Sequence, residues 1–162
     1  MNPSTNNELG AIALLSAERE IIRLISNYCY LLDGGKFDEV ARLLRHAKLE
    51  VPGAAAEGQE AIEQFLSSGV QRHGDGTPRT WHSVSNTLVD VDLGQQAATS
   101  ISYYTVHQGL AGFPLQAICT GHYRDTFSRL DGVWHFVRRS VTAHLVGDLQ
   151  WHVTGQNTGA KP

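Results

Sequence analysis

The residue best suited to proton transfer in this sequence is His82, within the stretch T-W-H-S-V-S-N-T-L-V-D-V-D from Thr80 to Asp92. Apolar and β-branched residues recur there with the alternation typical of a β-strand. That alternation places His82 on the same strand face as Val84, Asn86 and Leu88. An imidazole has an ordinary pKa near 6.5, so it can accept a proton at neutral pH. We therefore predict that His82 is a general base.

A carboxylate able to orient this imidazole is Asp33, which ends the first long helical segment before Gly34 and Gly35. The apolar residues preceding Asp33 predict partial burial, and a buried carboxylate needs a partner. A carboxylate at Nδ1 holds an imidazole in one tautomer and stabilises its charged form. We predict an Asp33–His82 pair at the bottom of an apolar pocket. The alternatives are a core histidine bonded to a backbone carbonyl and a helix-end aspartate that faces water.

Other side chains could complete such a site. Tyr28 and Tyr103 could donate hydrogen bonds to a substrate oxygen as an enolate forms, or they could be core aromatic residues with satisfied hydroxyls. His107 could protonate a leaving hydroxyl, or it could be a histidine at a strand end. The remaining candidates are substrate-binding residues: Asn86, Trp81 and Arg139.

Composition narrows the functional classes. The 162 residues contain 41% hydrophobic and 18% charged residues, which is typical of one globular domain. The net charge of −3 argues against binding of nucleic acid. The sequence has no apolar run long enough to predict a membrane span and no leader that would predict secretion. Cys29 and Cys119 stand apart in apolar surroundings, which predicts free, buried thiols and a cytoplasmic protein. The eight histidines lack close pairing and the two cysteines form no C-x-x-C, so we expect no metal site.

Periodicity and turn residues outline the elements that position these side chains. Three helices precede a set of long strands with hairpin turns, which predicts an α+β domain with a strongly curved antiparallel sheet around the first helices. Residues 1–15 form an N-terminal segment that is partly loose, residues 16–150 form the domain, and residues 151–162 form a tail that is frayed after His152. The helices are predicted at Ser16 (as N-cap) to Asp33, Lys36–Leu44 and Gly58–Ser68, a mobile loop at Gln71–Arg79, and the strands at His46–Val51, Thr80–Asp92, Gln95–Gln108, Leu115–Arg129 and Val133–Val146.

Four stretches resemble the SnoaL-like branch of the nuclear transport factor 2-like superfamily. They are Y-C-Y-L-L-D-G-G at 28–35, G-Q-E-A-I at 58–62, W-H-S-V-S-N at 81–86 and G-H-Y-R-D-T-F-S-R-L-D-G-V-W-H-F at 121–136. The resemblance spans residues 16–144 and implies a cone-shaped α+β barrel that assembles as a homodimer or homotrimer. It implies function less narrowly, because this fold hosts dehydratases, isomerases, cyclases, dehydrochlorinases, dioxygenase small subunits and binding modules.

Within that branch, the pattern is most similar to the scytalone dehydratase, hexachlorocyclohexane dehydrochlorinase and bile-acid 7α-dehydratase groups. In those lyases an aspartate after the first helix orients a histidine that removes a proton, and Asp33 and His82 match these two positions. Tyr28 matches an active-site tyrosine of the bile-acid enzymes, and His107 falls near a second polar active-site position of the dehydratases.

Two further positions bear on this resemblance. Arg139 or His144 could occupy the place of an arginine in the bile-acid enzymes. Tyr123 and Asp125 depart from the scytalone dehydratase pattern, which has small polar residues there.

The resulting prediction is a cofactor-independent lyase, with dehydratase-type elimination, or an isomerase. Its substrate would be a small apolar carbonyl compound or alcohol, with His82 as base in a closed pocket. The alternative is a non-catalytic module that binds a ligand or a partner chain, similar to the small subunits of ring-hydroxylating dioxygenases. Hydrogen-bond contact between Asp33 and His82 beside a pocket would favour the enzyme.

Overall fold

The computed structural model describes residues 3–155, which fold into three helices and one sheet of six strands. The strands lie in the order β2-β1-β6-β5-β4-β3; β1 and β6 are parallel, and the other neighbours are antiparallel. The predicted α+β class is confirmed, and the sheet is an open cone rather than a closed barrel. The elements are α1 (Pro3–Asp33), α2 (Phe37–Leu43), β1 (Lys48–Val51), β2 (Ala54–Glu57), α3 (Gln59–Gly69), β3 (Thr80–Asp92), β4 (Ala97–Leu110), β5 (Phe113–Leu130) and β6 (Val133–Val146).

Helix α1 packs an apolar stripe against the inner face of the sheet, with Ile21 and Ile25 almost fully buried. It begins at Pro3, so the predicted start at Ser16 is wrong. Residues 8–15 are mostly good helix formers, so the helix extends on the N-terminal side of Ser16. The Ser16 hydroxyl instead donates to the Glu20 carboxylate on the helix surface, at 3.4 Å. The C-terminal end agrees with the prediction, because Gly35 adopts the left-handed conformation (φ +68°) that terminates a helix.

The long strands follow the predicted pattern closely. Strands β3 and β6 have the predicted bounds, whereas β4 and β5 are displaced by one to two residues at their ends. Along β4, every second residue from Ala98 to Gln108 is buried, so one face of the strand points into the cone. The core that results joins α1 to the sheet through large side chains such as Phe127, Trp134 and Phe136.

Two short segments differ from the predictions. Strand β1 starts at Lys48 rather than His46, and the A-A-A-E segment of β2 was not predicted because alanine is uncommon in strands. Segment β2 forms because a turn at Gly53 (φ +80°) returns the chain alongside β1. The prediction of a frayed tail is wrong for Val153, which bridges Val70, and residues 156–162 lie outside the described part of the chain.

Both cysteines carry free thiols; Cys29 is buried and Cys119 is half-buried. Between residues 3 and 155, no helix combines the length and the apolar character needed to cross a membrane.

Gly121 marks a close approach between β5 and β6, beside a bulge in their pairing. A Cβ atom at this position would overlap the backbone carbonyl of Thr142. We expect Gly121→Ala to lower the free energy of unfolding by about 1–3 kcal/mol, because a strand must shift to admit the methyl group. Gly10→Ala is the matched control, since Gly10 lies in a helix with open space around it and alanine favours helices. Denaturant unfolding of both variants checks this; equal stability of the two would contradict it.

Candidate active site

The end of α1 and the start of β3 meet at the carboxylate of Asp33, which accepts three hydrogen bonds. Its Oδ2 atom accepts the backbone N–H of His82 at 2.8 Å, and its Oδ1 atom accepts the Thr80 hydroxyl at 2.7 Å. The third contact joins Oδ1 to Nδ1 of the His82 ring at 2.5 Å. The side chain of His82 is 4% exposed and that of Asp33 18%. The structure thus brings together the two residues that the sequence analysis paired.

The charge state of Asp33 determines which ring nitrogen of His82 carries a proton. Burial raises the pKa of the Asp33 carboxyl, but the hydrogen bonds from His82 and Thr80 and the charge of His82 outweigh it, so the pKa lies below its ordinary value. The carboxyl is therefore ionised at neutral pH. Because an ionised carboxylate only accepts hydrogen bonds, Nδ1 of His82 carries a proton. A neutral His82 ring then has its free lone pair at Nε2, the position from which an imidazole acts as a base.

A cleft of about 250 Å³ lies beside this pair, between α1 and β3. This volume suits a small molecule rather than a drug-sized one. Trp81 is 67% exposed and forms part of its wall. The lining residues are Ser26, Cys29, Tyr30, Asp33, Trp81, His82 and Val84.

His107 and Tyr103 do not share a face with His82. The chain neighbours of His107, Val106 and Gln108, are buried, so the alternation of β4 turns His107 to the outer face, where it pairs with Trp81. Tyr103 is 56% exposed on that outer face. His144 also lies on the outer face, where its Nε2 atom is 2.8 Å from Nδ1 of His122 and both rings line a second groove of about 550 Å³.

A bulge in β3 separates Asn86 and Leu88 from His82. The pairing with β4 shifts between Ser85 and Leu88, and Leu88 lies opposite Ile101 on the outer face, 67% exposed. Asn86 is in the bulge itself, exposed and with φ +52°. The prediction that Asn86 and Leu88 share the face of His82 is therefore wrong, because one extra residue reverses the alternation. Val84, which precedes the bulge, keeps the predicted face.

Arg139 points inward but is occupied by a carboxylate. Its Nε and Nη2 atoms donate to Asp125 at 2.9 and 2.7 Å, and both side chains are fully buried. The guanidinium carbon lies 4.1 Å from the centre of the Tyr28 ring and 4.3 Å from that of Tyr123. Burial alone would lower the pKa of Arg139, but Asp125 outweighs it and holds the pKa above its ordinary value. Arg139, which was a candidate for substrate binding, is thus part of a buried ion pair stacked between aromatic rings.

Tyr28 packs in the same core cluster. Its ring meets Tyr123 edge to face, with centres 6.0 Å apart. Burial raises the pKa of Tyr28 to about 12, so the phenol keeps its proton and remains a hydrogen-bond donor.

Sequence reasoning missed three residues near the pair. Thr80 holds Asp33, and it could have been recognised as the residue two positions before His82 on the same strand face. Gln108 lies at an inward position of the β4 alternation, directly opposite Thr80. His152 has no such signal, because its segment is brought into place by contacts with Gln71 and Gln108. Burial and, to a lesser extent, the charge of His82 lower the pKa of His152 to about 4 against the opposing effect of Asp33. Across residues 3–155, no three His, Cys, Asp or Glu side chains converge as metal ligands.

The sequence model of the SnoaL-like domain family matches residues 13–140. The chain belongs to this family. No curated protein matches the sequence. The family assignment agrees with the resemblance read from residues 28–35, 58–62, 81–86 and 121–136.

Solved structures show the same fold at low identity. A nuclear transport factor 2-like protein with a cystatin-like fold, from Novosphingobium aromaticivorans, has a TM-score of 0.72 and 24% identity over 85% of this SnoaL-like chain and 88% of its own. A protein of the same organism, provisionally named a scytalone dehydratase, has a TM-score of 0.68 and 24% identity over 85% of this chain and 91% of its own. LinA, a hexachlorocyclohexane dehydrochlorinase, has a TM-score of 0.68 and 18% identity over 94% of this chain and 99% of its own.

The core ion pair of this SnoaL-like domain yields a stability prediction. We expect Asp125→Asn to lower the free energy of unfolding by about 3–5 kcal/mol, because it leaves the Arg139 charge buried without a counter-ion. Arg138→Ala is the matched control, since Arg138 pairs with Glu50 on the exposed surface and its loss should leave the unfolding midpoint nearly unchanged. Urea titration measures both variants; similar losses would contradict the assignment.

His152 yields a prediction about pH. Its pKa is about 4 in the folded protein against 6.5 for an ordinary histidine, so between these values the unfolded chain binds a proton that the folded chain does not. Stability is therefore lost as the pH falls from 6.5 to 4. As the pH is lowered from 6.5 to 4, we expect the thermal midpoint of unfolding to decrease less in His152→Phe than in the parent protein. Asp33 has a lowered pKa and titrates below the window, so it does not mask the effect. Parallel decreases in both proteins would contradict the prediction.

Proposed function

We propose that this SnoaL-like domain is a cofactor-independent lyase or isomerase in which His82, oriented by Asp33, removes a proton from carbon. The substrate would be a small, mostly apolar carbonyl compound or alcohol. The single observation that supports this most is the contact of the ionised Asp33 carboxylate with Nδ1 of His82, which leaves Nε2 as the basic atom.

The proposed chemistry needs only one base. His82 takes a proton from a carbon activated by a neighbouring carbonyl, and the electron pair of that C–H bond becomes the new double bond. In an elimination, the hydroxide that departs receives the proton from the His82 imidazolium and leaves as water, so the ring returns to its neutral form. In an isomerisation, the same proton returns to another carbon. Asp33 stabilises the imidazolium between these steps.

The other candidates take different places in this proposal. Trp81 would form a wall of the substrate cleft, and Tyr28, which stays protonated, would donate a hydrogen bond if the substrate reached past Cys29. We give no part in the reaction to His107 or Tyr103, because both lie on the other face of the sheet. Arg139 would act through the packing of Tyr28 rather than by binding substrate.

The comparisons support elimination chemistry only as an analogy. LinA is a dehydrochlorinase, and one neighbour carries a provisional dehydratase name, but identities below 25% establish the shared fold alone. The free thiols of Cys29 and Cys119 favour a reducing compartment such as the cytoplasm.

A second candidate function is the binding of a partner chain through the outer sheet face. Several large apolar side chains are exposed on β5 and β6, among them Leu115 at 76% and Leu145 at 71%. We propose that a second copy of this chain covers them, in a homodimer or homotrimer. This assembly is compatible with the reaction, because His82 faces the inner side.

Substitution at the base tests the proposed function. We expect His82→Ala to lower kcat/KM by about 10²–10⁴-fold on a β-hydroxy ketone that bears a phenyl ring, because the proton acceptor is gone. The conjugated enone that forms is followed by its ultraviolet absorbance. His107→Ala, on the opposite face, should keep the parent rate. Loss of activity in both variants, or in neither, would contradict the proposal.

Asp33→Asn tests the partner of the base separately. An amide at this position can donate to Nδ1 and favour the wrong tautomer of His82, so we expect kcat to decrease by about tenfold or more with KM little changed. Parent kinetics in this variant would remove Asp33 from the mechanism.

A further inference from the structure

The loop of residues 70–79 bridges α1 and β3, the two elements that carry the proposed base and its partner. It packs against the end of α1, because a Cβ atom on Gly35 would overlap the backbone carbonyl of Gly76. The strand that follows the loop begins with Thr80, whose hydroxyl donates to Asp33 at 2.7 Å. The placement of this loop therefore determines where the first residues of β3 stand relative to the end of α1.

The chain enters β3 through a residue with an uncommon backbone conformation. Arg79 has a φ of +57°, in the left-handed region that residues other than glycine seldom adopt. Such a conformation persists where the surrounding contacts determine it. The Arg79 N–H donates to the hydroxyl of Thr77 at 3.2 Å, and the Arg79 carbonyl accepts the backbone N–H of Gly109 at 3.4 Å. One further contact on this part of the loop comes from the side chain of Gln108.

Gln108 holds the carbonyl that directly precedes Arg79. The residue is fully buried on the inner face of β4, directly opposite Thr80. Its amide nitrogen donates to the carbonyls of Pro78 and Trp151, both at 2.9 Å. Both N–H groups of the amide are thus used, and neither acceptor belongs to a strand of the sheet. The amide therefore joins the loop and the C-terminal segment to the sheet beside Thr80.

We propose that Gln108 is a positioning residue for the Asp33–His82 pair. By holding the Pro78 carbonyl, it orients the entry into β3 so that the Thr80 hydroxyl stays on the Asp33 carboxylate. The effect on turnover rests on the proposed function, whereas the effect on the carboxylate does not. Gln108 acts through Thr80 and does not touch the substrate.

The ionisation of Asp33 reports the placement of Thr80. Burial raises the pKa of the Asp33 carboxyl, and the hydrogen bonds from His82 and then from Thr80 lower it. If the Thr80 hydroxyl turns away, the charged carboxylate loses one of its three hydrogen bonds, and its pKa must rise. The carboxylate that remains is less firmly held and orients the His82 ring less well.

A double-mutant cycle tests the proposal without a substrate. Gln108→Met keeps the length of the side chain and removes both donors, so we expect the pKa of Asp33 to rise. Thr80→Val removes the hydroxyl itself and should also raise this pKa. In the double variant the pKa should equal that of Thr80→Val alone, because Gln108 acts through the hydroxyl. The ¹³C chemical shift of the Asp33 carboxyl, followed in a pH titration, measures all four proteins. An unchanged pKa in Gln108→Met, or full additivity of the two shifts, would overturn the proposal.

Gln71→Met is the matched control. The Gln71 amide nitrogen also donates to two backbone carbonyls of the C-terminal segment, those of Gln150 and Val153, at 2.9 and 2.7 Å. We expect this variant to lower the thermal midpoint about as much as Gln108→Met does, but to leave the pKa of Asp33 at the parent value. Equal pKa shifts in the two variants would overturn the proposal, because the effect would then come from loosening the C-terminal segment.

A second variant covers the case in which Gln108→Met does not fold. Gln108→Asn keeps a polar amide in the core, but its side chain is one carbon too short to reach both carbonyls. The same rise in the pKa of Asp33 is expected in this variant. A parent pKa in folded Gln108→Asn would overturn the proposal.

Turnover of the β-hydroxy ketone used for His82→Ala measures the consequence for the reaction. We expect kcat to decrease by about three- to tenfold in Gln108→Met, the equivalent of about one hydrogen bond, with KM little changed. Gln71→Met should keep the parent kcat. A parent kcat in Gln108→Met would overturn the role of Gln108 in the reaction.

The two readouts separate this inference from the proposed function. If turnover depends on His82 while the pKa of Asp33 does not respond to Gln108→Met, only the positioning role fails. If the pKa responds as expected but the parent protein converts no hydroxy ketone, the proposed reaction fails and the positioning of the carboxylate stands.

Discussion

The site depends on one partly buried carboxylate that joins two elements distant in the sequence. Asp33 ends α1, and its oxygens accept hydrogen bonds from Thr80 and from both the backbone and the ring of His82 at the start of β3. Burial by itself would favour the protonated acid. The three donors reverse that preference, so the carboxylate stays charged and holds the imidazole in one orientation.

The interior of the cone also contains a buried ion pair with a structural role. Asp125 and Arg139 satisfy most of each other's polar atoms, and aromatic rings lie on both sides of the guanidinium. Such a pair is occupied by its own partners, whereas Nε2 of His82 is free of any protein partner among the described residues. The two pairs thus show why burial of a charged residue is insufficient to identify a functional one.

The periodic features of the fold could be predicted from the sequence. Alternation gives both bounds of β3 and β6, and Asp33-Gly34-Gly35 gives the end of α1. These predictions succeed because they depend on local backbone geometry. The same reasoning places Asp33 and His82 together only with help from the family resemblance, since no pattern in the sequence measures the distance between a helix end and a strand.

The errors arise where tertiary structure changes a local pattern. A bulge reverses the alternation of β3, which moves Leu88 to the outer face and exposes Asn86. Strand β2 has an alanine-rich sequence and exists because β1 pairs with it. His152 lies in a polar tail whose position depends on Gln71, His73 and Gln108, and these contacts span more than 40 residues of sequence.

The most direct measurement of the central claim is the tautomer of His82 in ¹⁵N-labelled protein. NMR at neutral pH distinguishes a protonated ring nitrogen from a bare one, and the Nδ1 proton of a ring bonded to a carboxylate resonates far downfield. The account predicts that neutral His82 carries its proton on Nδ1, that this proton is strongly deshielded, and that the downfield signal disappears in Asp33→Asn. A bare Nδ1 with the proton on Nε2, or a signal that does not respond to the loss of the Asp33 charge, would contradict it.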